Sequence, residues 1–140
     1  MKIAYRLLLT VTMLVTALAI GFGALQQYRR SYPELAFAQI TGRTLPAGVR
    51  ATAYGWEIND NFLHVSHYWL LTGSSVQLRQ FASDTSLSES TEDARYALPD
   101  MPRLFGRPQL VVAIGYEGDQ PRNNWYWLFT GESEALYEYN

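Results

Sequence analysis

Hydrophobic and polar positions divide this chain near residue 30. Leu7 to Leu25 is an unbroken stretch without a charge, LLLTVTMLVTALAIGFGAL. At a helical rise of 1.5 Å per residue it extends about 28 Å, close to the ~30 Å hydrocarbon thickness of a bilayer. Thr10, Thr12 and Thr16 interrupt it only mildly, because their hydroxyls can return to the helix backbone. Lys2 and Arg6 precede the stretch and Arg29-Arg30 follow it. The pattern predicts an N-terminal membrane anchor over residues 1–30. A cleaved signal peptide is the alternative, with cleavage after Ala19 or Gly23. The apolar run exceeds the roughly 7–15 residues of a signal core, which favours the anchor. Lys2, Arg6 and the α-amino group outweigh Arg29 and Arg30, so the positive-inside rule favours the remainder outside the cytoplasm.

From residue 31 the pattern changes to short amphipathic stretches. Ser31-Tyr32-Pro33-Glu34 reads as a helix start, with Ser31 as N-cap, Glu34 as capping-box partner and Pro33 in the first turn. The helix it opens ends at Gly42. Val49–Ile58 and Phe62–Leu71 are rich in β-branched and aromatic residues, and they read as paired strands around Asn59-Asp60-Asn61. In the second, Leu63, Val65, His67, Trp69 and Leu71 share a face and form the expected core side. Gly73-Ser74-Ser75 caps a helix carrying Val76, Leu78, Phe81 and Ala82. Residues 83–103 read as a loop with a short helix around Glu89–Ala97. Gln109–Tyr116, Asn124–Thr130 and Ala135–Tyr139 read as three further strands. The predicted fold is α+β: a transmembrane helix, then a domain over 31–140 with a mainly antiparallel sheet of about five strands and two short helices.

Charge sharpens the division. Residues 31–140 hold seven Arg and all 13 acids, a net charge near −6, and the other four cations all lie in residues 1–30. An acidic domain argues against DNA or RNA as partner, since phosphate contacts need a basic face. The chain has no Cys, which excludes disulfides, thiolate nucleophiles and thiolate metal sites. Its only Lys is Lys2, so lysine chemistry in the domain is excluded as well.

Candidate chemistry is correspondingly narrow. Gly73-Ser74-Ser75 reads as a helix cap rather than a nucleophile elbow. His64 and His67, three apart on a strand, point to opposite faces and cannot share a metal there. No cofactor and no metal are expected. Four acids near strand ends, Glu57, Asp60, Glu117 and Asp119, are candidates for a hydrolytic carboxyl pair, which needs a separation of about 5–10 Å. Aromatics are dense, with 4 Trp, 10 Tyr and 6 Phe. Trp56, Tyr68, Trp125 and Trp127 are the candidate binding residues, because exposed rings stack on sugars or anchor a protein partner. The same rings serve equally to fill a core.

Phe37-x-x-x-Thr41-Gly42-x-x-Leu45-Pro46, an aromatic strand pair, a short helix and a closing strand with Leu136, Tyr137 and Tyr139 resemble small bacterial envelope proteins. Those are tethered at the N-terminus by a helix or a lipid. The resemblance covers most of residues 35–140 and implies an exported α+β domain without an assigned activity. This chain lacks the cysteine of the lipid-tethered members. The expectation is a single-pass membrane protein of the cell envelope with a non-catalytic interaction domain outside the cytoplasm. Its partners would be membrane lipid through residues 7–25 and another envelope protein. The alternatives are a small envelope hydrolase using a carboxylate pair, or a structural accessory subunit of a membrane complex.

Overall fold

A computed structural model of the chain describes residues 2–58, 65–90, 105–106, 112–118, 124–131 and 133–140. The chain falls into two units, Met1–Tyr32 and Pro33–Asn140. The first is one helix, α1, Lys2–Ser31. Its stretch Ala4–Ser31 is long and apolar enough to cross a membrane. Thr10, Thr12 and Thr16 each donate to the carbonyl four residues earlier, at 2.9–3.0 Å, so the hydroxyls are satisfied within the helix. Ser31 is not an N-cap. It closes α1, its Oγ donating to the Gln27 carbonyl at 3.1 Å. Helical geometry therefore continues past the apolar stretch until Tyr32, which separates it from Pro33. Proline lacks an N–H and is pre-set for a first helical position, so a new helix starts there.

In the second unit, α2 spans Pro33–Thr41 and ends at Gly42, whose φ of +69° is the left-handed conformation that suits glycine at a helix end. The strands are β1 (Arg50–Ile58), β2 (Val65–Thr72), β3 (Leu87–Ser90), β4 (Val112–Gly118), β5 (Trp125–Phe129) and β6 (Glu134–Tyr139). Helix α3, Ser75–Asp84, lies between β2 and β3. Ser74 is its N-cap: Oγ accepts from the Gln77 N–H, and the Gln77 side chain accepts from the Ser74 N–H.

The six strands form one antiparallel sheet in the order β1-β2-β6-β5-β4-β3. The expected count of five missed β3. Glu89 and Ser90, expected at the start of a helix, instead pair with Tyr116 and Gly115. Residues 91–97 of that expected helix lie outside the described residues, as do His64 and the Asn59-Asp60-Asn61 turn.

Strand alternation gives the sheet two apolar faces. The first face carries Tyr54, Trp69, Leu71, Tyr116, Tyr126, Leu128, Ala135 and Tyr137, and α2 and α3 cover it with Ala36, Phe37, Leu78, Phe81 and Ala82. The second carries Tyr68, Leu70, Val112, Trp127, Phe129 and Leu136, with Phe105 packed against them. The expectation that β2 has one core side is corrected here. Trp69 and Leu71 do face the helices, but Ser66, Tyr68 and Leu70 on the opposite side are buried too. A central strand between β1 and β6 is apolar on both faces, as strands of doubly covered sheets are.

A bulge keeps β1 in step. The register shifts between Ala51 and Ala53, and the side chain of the intervening Thr52 donates to the Leu70 carbonyl at 3.2 Å. Ala51 and Tyr54 thus share the first face although they are three positions apart.

Candidate functional site

The residues selected for binding are distributed over both faces. Trp56, opposite His67, packs half-buried against the helix-covered face. Tyr68, Trp125 and Trp127 belong to the second face. Tyr68 and Trp127 are buried there, and Trp125 is half-buried, stacked on Trp127 with ring centroids 5.9 Å apart and planes 10° off parallel. The sheet thus brings three of the four rings to one side. Trp125 and Trp56 are the two that keep part of their surface.

His67 sits on the first face beside Trp56. Its Nδ1 lies 2.9 Å from the Tyr54 hydroxyl, and its ring lies nearly parallel to the Tyr54 ring. No cluster of three or more metal-binding side chains occurs among the described residues.

Of the four candidate acids, Asp60 and Asp119 lie outside the described residues. Glu57 pairs with Ser66 and Glu117 with Trp125, which places both on the second face. They stand on β1 and β4, four strand spacings apart, or about 19 Å at ~4.8 Å per spacing. That is beyond the reach of a cooperating carboxyl pair.

An acid that the sequence analysis did not select, Glu138, occupies the middle of that distance. β6 alternates Ala135, Tyr137 and Tyr139 toward the first face with Leu136 and Glu138 toward the second. Glu138 stands between Tyr68 of β2 and Trp125 of β5, and it is only 8% exposed. The Tyr68 hydroxyl donates to its Oε1 at 3.3 Å. Ser66, fully buried, donates to Asn140 Oδ1. Burial pushes the Glu138 carboxyl above its usual range. Hydrogen bonds from Asn140, Ser66 and Tyr68 oppose that shift, and the charge of Glu57 adds to it. The site is a polar island on an apolar face, built of Ser66, Tyr68, Glu138 and Asn140 with Glu57 beside it. The sequence signal was available: a lone Glu at the position after next from Leu136 falls on an apolar stripe once the period of two is followed.

Comparison of the chain with protein-family models, with curated proteins and with solved structures finds no match.

Proposed function

We propose that this chain is a single-pass membrane protein whose domain, held outside the cytoplasm, is a non-catalytic interaction module. The observation that carries the reading is α1, one continuous helix with a bilayer-length uncharged stretch flanked by cations at both ends. It supports an anchor over a signal segment because its apolar run is longer than signal cores need. The orientation rests on the cation balance, with the acidic domain on the side bearing fewer positive charges. Within the domain, the half-buried Trp125 and Trp56 supply ring surface for a partner in the envelope.

Protease treatment of intact spheroplasts tests the reading. Digestion of residues 33–140 without lysis is the expected result, and protection until lysis overturns the orientation. Partner capture is tested with Trp125→Ala and Trp56→Ala, folding being monitored by near-ultraviolet circular dichroism. Loss of capture with the fold retained is expected. Undiminished capture by both variants removes the aromatic surface from the account.

A further inference from the structure

We propose that Arg29 and Arg30, at the end of α1, clamp the phosphate groups of anionic phospholipids in the leaflet on the domain's side. This clamp rests on the reading of residues 7–25 as a membrane anchor, and it adds the headgroup chemistry that this end of the helix selects.

The geometry begins with helix length. α1 does not stop with its uncharged stretch at Leu25 but runs on to Ser31, and the Tyr32 N–H still donates to the Tyr28 carbonyl at 3.0 Å. At 1.5 Å per residue, Tyr28, Arg29 and Arg30 stand about 4.5–7.5 Å beyond Leu25 along the axis. The headgroup layer on each side of a bilayer is about 5–8 Å thick, so all three fall within it. Helical side chains also lean toward the N-terminus of their helix, which at this end means back toward the bilayer. At the other end the same lean carries Lys2 and Arg6 outward, away from the headgroups.

The neighbouring rings mark the depth. Tyr28 and Tyr32, 44% and 53% exposed, pack against each other with ring centroids 4.9 Å apart. A tyrosine has an apolar body and a polar tip, which suits the boundary between hydrocarbon and water. Arg30 is exposed and Arg29 half-buried. Neither guanidinium is hydrogen-bonded or ion-paired to a described residue, and the Arg29 Nε is without a partner. A guanidinium matches a phosphate through two parallel N–H···O bonds and keeps its charge at any physiological pH. The domain that follows opposes the attraction as a whole, since residues 31–140 carry a net charge near −6. Preference for an anionic lipid therefore has to come from this pair, and removing it should leave the repulsion unopposed on that side.

The test reconstitutes the full chain in phosphatidylcholine vesicles holding a minority of phosphatidylglycerol. Electron spin resonance of chain-labelled lipid then reads how strongly each lipid is restricted by the protein. Each Arg at an anionic surface is worth about fivefold, so against the acidic domain the wild type should favour phosphatidylglycerol by at least about threefold. Salt at about 1 M, where the Debye length is about 3 Å, should suppress the preference. Arg29→Gln/Arg30→Gln should lose most of it. Arg29→Lys/Arg30→Lys, which keeps the charge, should retain it in large part, and Lys2→Gln/Arg6→Gln should keep at least about a twofold preference. Near-ultraviolet circular dichroism checks that each variant stays folded. Equal restriction of the two lipids by the wild type would overturn the clamp and leave the anchor standing. An undiminished preference in Arg29→Gln/Arg30→Gln, or its disappearance in Lys2→Gln/Arg6→Gln, would overturn the clamp as well. Restriction of neither lipid would overturn the anchor, and the clamp with it.

Discussion

Phe37 is the residue on which the docking of α2 depends most, and its truncation is the most informative perturbation of the domain. The side chain is 1% exposed and its ring meets three others, Trp69 at 5.3 Å, Tyr137 at 5.8 Å and Phe81 at 6.1 Å. These three come from β2, β6 and α3, so one ring joins both helices to two central strands. Phe37→Ala removes a fully buried aromatic and leaves a cavity between elements too rigidly paired to collapse into it. Such changes cost about 3–5 kcal/mol. A domain of this size has a total stability of about 5–15 kcal/mol, so the loss is a large fraction of the whole. At about 4 °C per kcal/mol, the melting temperature should fall by about 12–20 °C. Urea titration of full-length protein in mild detergent, followed by the fluorescence of its four tryptophans, reads the change. Leu35, two residues earlier and 48% exposed, is the control, and Leu35→Ala should cost under about 1 kcal/mol. A Phe37→Ala loss below about 1 kcal/mol would refute the reasoning, because α2 would then not be seated on the sheet through this ring.

Further predictions follow from the capping and from the buried hydroxyls. Ser74→Ala removes the oxygen that accepts from Gln77, and should cost about 1 kcal/mol in the same denaturation assay. Tyr126→Phe removes the hydroxyl that donates to the Leu78 carbonyl at 3.1 Å, for a loss of about 0.5–1.5 kcal/mol. Burial pushes the hydroxyls of both Tyr68 and Tyr126 well above the ordinary tyrosine value of 10. Alkaline titration monitored by ultraviolet absorbance should therefore show these two of the ten tyrosines ionising late, together with unfolding. Because the unfolded chain ionises them near pH 10, stability should decline as pH rises above that value. Normal titration of all tyrosines in the folded protein would contradict the burial.

Much of the fold is legible in local sequence, for physical reasons that particular residues make plain. Gly73-Ser74-Ser75 with Gln77 three positions after the cap carries its own hydrogen-bonding logic, so α3 needs no distant partner to be identified. The period of two in β2 and β6 is set by strand geometry. What is not legible depends on contacts far apart in the chain. Leu87-Ser88-Glu89-Ser90 is polar and short, and becomes a strand only because β4 offers it an edge. Nothing local says that β6, the last strand, inserts between β2 and β5. That insertion makes β2 a central strand, buries Tyr68 on the face expected to be open, and encloses Glu138. Ser31 has the composition of a helix cap, but with α1 already formed it costs less to end that helix one residue later. The aromatic candidates are likewise split by topology: alternation sends Trp125 and Trp127 to one side, and the bulge at Thr52 fixes Trp56 on the other.

The central claim is that residues 7–25 hold this chain in a membrane. Alkaline carbonate extraction of cell membranes, with the intact mass of the retained protein measured, tests it most directly. The account predicts a carbonate-resistant protein whose mass includes residues 1–30. A protein released into the supernatant, with a mass that begins near Ile20 or Ala24, would contradict it and make α1 a cleaved signal segment.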